Sequence, residues 1–370
     1  MKKIITLVLL CLLFLTSCSA NITSGSSPDT SGADTGKDSY LYLAVDGVLY
    51  KYNIQTGYAT PVCQDPLCHH DSDKCPFYGI VDAVMPVGNK LYFVKGSQIC
   101  VYDTSDGDLK TLYDTNGAVF YPFMADKYIY YNTLTTKKEN GELVNNIDLF
   151  RFNIEDNSCI QLNKELLYGF NFCSTIINDK IYWDDIGTNM SYSTNFSYGN
   201  KVEGADLKYS IQSKNYEYRL EVVNRQPIKV KLIVKKKSGS DEYMIADNVA
   251  SFKVMDDCIL LLYNTDTPKQ VGTALDENES ETAIYDYQCN DIYIADCDGG
   301  NKKLLCSISD NYVIFNMTNS DGALIRYPYI GIMLWEYEYD EKGYIAGKEI
   351  AKDIIILNIK TGEYKITISE

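Results

Sequence analysis

From residue 39 onward, short apolar-rich runs alternate with turn residues along the whole chain. Leu49-Tyr50-Lys51-Tyr52-Asn53 leads into Gln55-Thr56-Gly57, and Ile99-Cys100-Val101-Tyr102-Asp103 into Ser105-Asp106-Gly107-Asp108. Leu149-Phe150-Arg151-Phe152-Asn153 leads into Glu155-Asp156-Asn157, and Ile292-Tyr293-Ile294-Ala295-Asp296 into Asp298-Gly299-Gly300. Ile354-Ile355-Ile356-Leu357-Asn358 leads into Lys360-Thr361-Gly362. Each is a β-rich run, a tight turn and a second short strand, the pattern of an antiparallel hairpin. Front strands precede them: Lys90-Leu91-Tyr92-Phe93, Tyr128-Ile129-Tyr130-Tyr131, Lys180-Ile181-Tyr182-Trp183 and Cys258-Ile259-Leu260-Leu261. No segment sustains an apolar period of about 3.6 residues, so helical repeats are not expected.

The hairpins recur at a near-constant spacing. Their first strands start 50, 50 and, near the C-terminal end, 62 residues apart. A further unit is expected between residues 153 and 292, around Val230-Lys231-Leu232-Ile233-Val234. The spacing predicts six units of roughly 55 residues, the period of propeller blades. The expected fold is therefore all-β: a β-propeller of six four-stranded antiparallel sheets over residues 39–370. The count becomes seven if the stretch 184–246 holds an extra sheet. The first unit, Tyr40 to Cys63, has room for three strands, and the C-terminal end is expected to supply the missing one. Radial packing suits such sheets, because each covers its neighbour's face and protects its edges. Tyr, with 32 copies, packs its ring between sheets and keeps its hydroxyl wet at the rim.

Tyr182-Trp183-Asp184-Asp185 matches the Tyr-Trp-x-Asp signature of six-bladed propellers of the low-density-lipoprotein-receptor type, which the chain resembles. Tyr92-Phe93 and Tyr130-Tyr131 keep only the aromatic pair. The chain as a whole is similar to bacterial lipoproteins that carry such a propeller. That resemblance implies a fold and no particular reaction.

Long segments interrupt the pattern at Thr133–Asn146, Asp184–Tyr216, Thr265–Gln288 and Tyr337–Lys352. All fall between the second and third strands of their units. In an up-and-down sheet these connections emerge at one end, so a single elaborated binding face is expected.

The first 38 residues follow different rules. Met1-Lys2-Lys3 is basic, Ile4–Leu15 is an apolar run too short to span a bilayer, and Leu15-Thr16-Ser17-Cys18 resembles the bacterial lipobox. The resemblance implies a signal peptide over residues 1–17, lipidation at Cys18 and a membrane anchor on the extracytoplasmic side. More than one acyl chain is needed for stable anchoring. Residues 18–38 are rich in Ser, Thr, Gly and Asp, a flexible tether of about 25 Å root-mean-square span.

Charge narrows the function. The formal net charge is −16, from 34 Lys+Arg against 50 Asp+Glu, which argues against nucleic acid and favours cationic partners. Only 2 His are present, so acid–base catalysis near neutral pH has little material. There is no phosphate-cradling glycine motif and no nucleophile elbow.

Both His stand in the most concentrated feature of the chain, Cys63-Gln64-Asp65-Pro66-Leu67-Cys68-His69-His70-Asp71-Ser72-Asp73-Lys74-Cys75. Three readings stand side by side. Cys63, Cys68, Cys75 and one of His69 or His70 form a soft ligand set that suits tetrahedral Zn²⁺. Two of the Cys form a disulfide, as exported chains often do. Or the thiols stay reduced and unliganded in a turn. Cys258 and Cys306, beside apolar strand residues, read as simple buried Cys. The Asp-rich turns Asp103–Asp108 and Asp296–Gly299 read as hairpin turns rather than Ca²⁺ loops.

The expected function is a lipid-anchored, non-enzymatic propeller that binds a protein, peptide or glycan on its loop-rich face. The alternative is a metal-binding protein or metal-dependent enzyme centred on Cys63–Cys75.

Overall fold

The computed structural model describes residues 40–125, 127–139, 142–162, 171–177, 180–185, 190–195, 202–203, 211–225, 228–255, 257–264, 267, 269–275, 281–286, 291–308, 313–316, 325–339 and 345–369. The expected signal peptide, Cys18 and the expected tether lie outside them. Every regular element among the described residues is a β-strand.

The strands form successive sheets in which sequence neighbours pair antiparallel. The first sheet takes Tyr40–Val45, Val48–Asn53 and Tyr58–Pro61. The second takes Ile80–Val87, Lys90–Lys95, Gln98–Asp103 and Leu109–Asp114; the third Val119–Ala125, Tyr128–Glu139, Glu142–Asn153 and Cys159–Gln161. The fourth takes Asn171–Ile177, Lys180–Asp185, Met190–Asn195 and Val202–Glu203; the fifth Ile211–Gln212, Tyr216–Arg225, Ile228–Lys236 and Glu242–Ala246. The sixth takes Val249–Val254, Cys258–Tyr263, Asp291–Asp296 and Lys303–Ser307; the seventh Val313–Asn316, Tyr329–Tyr339, Ile345–Asn358 and Tyr364–Ile366. Where the sequence pattern gives six units, or seven with an extra sheet in 184–246, the described residues form seven sheets of four or five strands and one two-stranded ribbon. The stretch read as a loop, Asp184–Tyr216, carries strands of its own, and its Ser- and Asn-rich composition hides them. The first sheet gains its fourth strand from the far end of the chain. Ile368–Ser369 pairs beside Tyr58 and Ala59, in parallel rather than antiparallel orientation.

The other long segments are ribbons. Tyr128–Glu139 pairs with Glu142–Asn153 along its whole length, and Tyr329–Tyr339 with Ile345–Asn358, with register shifts. Lys269–Leu275 and Glu281–Asp286 form a separate two-stranded ribbon between the second and third strands of the sixth sheet. Each ribbon sits at the second-to-third-strand position of its sheet.

Contacts divide the chain into two compact units, one over Val81–Ser210 and the other built from residues up to Ile80 and from Ile211 onward. Within each, alternate residues of one strand pack against different neighbours. In Cys258–Tyr263, Ile259 and Leu261 pack with Tyr218, Leu232 and Val234 of the fifth sheet. Leu260 and Leu262 pack with Ile330, Ile332 and Ile355 of the seventh. In Ile345–Asn358, Ile354 and Ile356 pack with Leu41, Leu43 and Tyr52 of the first sheet, while Ile355 and Leu357 face the sixth. In the other unit, Val94, Ile99 and Val101 of the second sheet pack with Ile129, Tyr131 and Phe152 of the third. A strand buried on both faces must be apolar at every position, which is why Ile259–Leu262 and Ile354–Leu357 read as unbroken apolar runs. Each fully buried Ile or Leu contributes about 1.5–3 kcal/mol of transfer free energy. Four-stranded meanders stacked face on face are the β-propeller class of fold.

The hairpin turns repeat one device. Asn53 Oδ1 accepts hydrogen bonds from the Gln55 and Thr56 N–H groups at 2.9 Å. Asp103 Oδ1 accepts from Ser105 N–H, Asn153 Oδ1 from Glu155 N–H and Asn358 Oδ1 from Lys360 N–H, each at 3.0 Å. Four residues after each Asx stands a residue of positive φ: Gly57, Gly107, Asn157 or Gly362. Its N–H returns to the Asx carbonyl at 2.8–2.9 Å. Gly362 (φ 78°) has a second reason to be Gly: a Cβ there would overlap the Leu305 carbonyl of the sixth sheet.

Candidate metal centre

The Cys/His segment connects Tyr58–Pro61 of the first sheet to Ile80–Val87 of the second. Its two ends are pinned to one residue. Val62 N–H donates to the Leu49 carbonyl at 2.9 Å, and Leu49 N–H donates to the Phe77 carbonyl at 3.1 Å. Ile80 N–H adds a bond to the Gly47 carbonyl at 3.0 Å. Val62 and Phe77 are buried, so the base of the loop is part of the core. The segment between them is a compact loop with its ends together.

Inside the loop, two turns deliver cysteines. Asp65 Oδ1 accepts from Leu67 N–H at 2.9 Å, and Cys68 N–H donates to the Asp65 carbonyl at 3.1 Å. Cys75 N–H donates to the Ser72 carbonyl at 2.9 Å. Between the turns, His70 adopts φ 57°, an uncommon conformation for a residue with a side chain. His70 Nδ1 lies 3.4 Å from Cys75 Sγ. The ligand atoms of Cys63, Cys68, His70 and Cys75 all lie within 4.8 Å of one another. This cluster could hold a metal ion.

Sequence reasoning left His69 and His70 equivalent. The structure separates them: His70 is half-buried and joins the three sulfurs, whereas His69 is exposed and stands outside the group. Cys63 and Cys68 are partly exposed, and Cys75 is 1% exposed. Burial pushes the Cys75 thiol up to about 12, with Cys68 and Cys63 adding to the rise and the Phe77 N–H opposing it. A pocket that disfavours a lone thiolate favours one neutralised by a cation.

The donor set is three thiols and an imidazole. That set matches Zn²⁺, whose bonds of about 2.3 Å to sulfur and 2.0–2.1 Å to nitrogen place tetrahedral ligands about 3.5–3.8 Å apart. Closing from 4.8 Å requires side-chain shifts of about 1 Å. The loop has little else inside it. Apart from Cys75, the residues from 63 to 76 are half-buried or exposed, and Leu67 is 85% exposed. No apolar cluster of its own holds it in shape.

Cys63, Cys68, Cys75, Cys100, Cys159, Cys258, Cys297 and Cys306 are not joined by disulfides in this structure. Cys258 is buried, as expected beside apolar strand residues, whereas Cys306, read the same way, is only partly buried; Cys100 is buried as well. Among the described residues, no other group of three or more His, Cys, Asp or Glu comes together as a metal cluster. The Asp-rich turns hold their own backbone instead, as Asp298 Oδ1 does for Gly300 N–H at 2.8 Å. Leu49 and Gly47, which pin the loop, carry no signal in the sequence beyond an Asp-Gly turn at Asp46-Gly47.

No family model and no curated protein matches the chain. Solved structures of low identity are similar to it. An oligogalacturonate lyase from Vibrio parahaemolyticus is 8% identical, covering 86% of this chain and 93% of its own, with a TM-score of 0.45. A nidogen/laminin complex is 10% identical, covering 75% of this chain and 92% of its own, with a TM-score of 0.37. The β-propeller domain of the trilobed protease from Pyrococcus furiosus is 10% identical, covering 67% and 69%, with a TM-score of 0.35.

Proposed function

We propose that this protein is a lipid-anchored, extracytoplasmic, non-enzymatic propeller in which Zn²⁺ bound by Cys63, Cys68, His70 and Cys75 fixes the loop between the first two sheets. The observation that carries the reading is the convergence of these ligand atoms within 4.8 Å in a loop without an apolar interior. Four protein ligands complete a tetrahedral zinc site and leave no open position for substrate, which favours a structural over a catalytic metal. Cys18 carries the lipid in this reading. A protein, peptide or glycan partner, cationic by preference, is bound on the elaborated connections.

Elemental analysis of the mature chain, purified without chelator and under reducing conditions, tests the metal. One zinc per chain is expected, lost in Cys68→Ser and His70→Ala and retained in His69→Ala. A folded, metal-free chain after equilibration with Zn²⁺ removes the reading. Mass spectrometry of the membrane-extracted protein checks the anchor separately, with a diacyl or triacyl group expected on Cys18.

A further inference from the structure

The four ligands are not equally placed. Cys75 lies in the base of the loop, 1% exposed, with His70 Nδ1 3.4 Å from its sulfur. Cys63 and Cys68 stand at the solvent side and are partly exposed. They are close in sequence, one at the loop entrance and one ending the Asp65–Cys68 turn, and their sulfurs lie within 4.8 Å of each other. The turn at Asp65 brings the chain between them back on itself, and neither residue lies in a strand, so a sulfur–sulfur bond of about 2.05 Å is made within the loop.

Resting on the metal reading above, we infer that the site is an oxidant-sensitive switch, in which a peroxide couples Cys63 to Cys68 and expels the zinc. One thiolate sulfur attacks a peroxide oxygen, the O–O bond breaks, and a sulfenic acid forms with release of hydroxide. The second thiolate attacks that sulfur, the S–OH bond breaks, and a second hydroxide leaves. With two protons taken up, peroxide is reduced to two waters and two thiolates are oxidised to one disulfide. Zinc loses two of its four ligands, and Cys75 with His70 alone do not complete its tetrahedron. A dithiol reductant reverses the change.

The consequence is confined. Val62 and Phe77 remain bonded to Leu49 whatever the loop interior does. The metal-free, disulfide form therefore loosens residues 64–74 while the sheets stay closed. The exposed Leu67, carried on the Asp65 turn next to Cys68, changes its presentation most. Of the other described sulfurs, Cys159 lies 3.2 Å from the Tyr131 hydroxyl, Cys100 and Cys258 are buried, and Cys297 and Cys306 are partly exposed.

The experiment uses the zinc-loaded mature chain. Hydrogen peroxide is added in steps with a chromogenic zinc indicator, and thiols are then mapped by differential alkylation and mass spectrometry. One zinc is expected to appear per Cys63–Cys68 disulfide formed, with Cys75 recovered as a thiol. Dithiothreitol plus Zn²⁺ should restore the starting state. Cys306→Ser should behave as the parent chain. Zinc retained while other thiols oxidise overturns the switch and leaves the metal reading standing. Zinc released with oxidation at Cys75, or with sulfinic acids and no disulfide, also overturns it. A reduced chain that never binds zinc fails both readings, and that result is distinct from the other two.

Discussion

The Cys63–Cys75 loop and the Asx turns are both polar chain reversals, yet they solve the same problem by opposite means. In the Asx turns each side-chain oxygen satisfies backbone N–H groups two or three residues ahead, and a residue in the left-handed region closes the reversal. Nothing is left over for a ligand. In the Cys loop the backbone turns bring three sulfurs and an imidazole together, with their ligand atoms within 4.8 Å of one another. Acidic residues alone are thus a poor sign of a cation site in this chain. Soft ligands that a backbone has gathered are a better one.

Removing the proposed zinc should give the largest effect. Structural zinc sites carry apparent binding free energies of about 10–16 kcal/mol in small zinc-folded peptides, and here the sheets do most of the folding. Chelation at neutral pH is expected to open residues 64–74 to a protease while the far-ultraviolet spectrum stays unchanged. An uncut loop in the chelated chain would show that it, like the Asx turns, stands without help. Next in size, Gly362→Val forces a side chain onto the Leu305 carbonyl in a backbone region that disfavours it, at a cost of about 3 kcal/mol. Denaturant melts read this directly, and a melt equal to the parent's would mean the turn is not held against the sixth sheet.

A smaller loss is expected for Asn358→Ala, about 1 kcal/mol for the lost bond to Lys360 N–H, with Asn358→Asp near neutral. Smallest is the acid response. Ser105 holds the Asp103 carboxyl below its ordinary 3.8, and Ser158 does the same for Asp156. A carboxyl lowered in the folded state stabilises above its unfolded midpoint and loses that contribution as pH falls through the lower folded one. Carboxyl shifts followed by NMR should place both midpoints below 3.8. Calcium should leave them unmoved; a calcium-dependent shift would make these turns ligand sites after all.

Much of this was legible in the sequence. Leu49–Asn53, Ile99–Asp103 and Ile354–Asn358 declare themselves by alternation or unbroken apolarity, with an Asx turn after each. Met190–Asn195 did not, because a strand in which Ser, Thr and Asn outnumber Met190 and Tyr192 looks like a loop until its partner is known, and so the extra sheet in this stretch stayed an open alternative. The ligand set was legible by composition, since both His sit among three Cys. The choice of His70 over His69 was not, because it depends on a positive φ at a single residue. Nor was the role of Leu49, an ordinary strand residue whose backbone holds both feet of the loop. The direction of the last strand was hidden too: Ile368–Ser369 is too short to carry a register of its own.

That last strand has a consequence for how the protein is made. Lys365 Nζ reaches the Gln55 carbonyl across 310 residues, and Ile368 N–H donates to the Gly57 carbonyl at 3.0 Å. The earliest sheet to leave the ribosome is therefore the last to be finished. Until then its open flank is exposed to other chains, and the delay grows with every residue still to be synthesised.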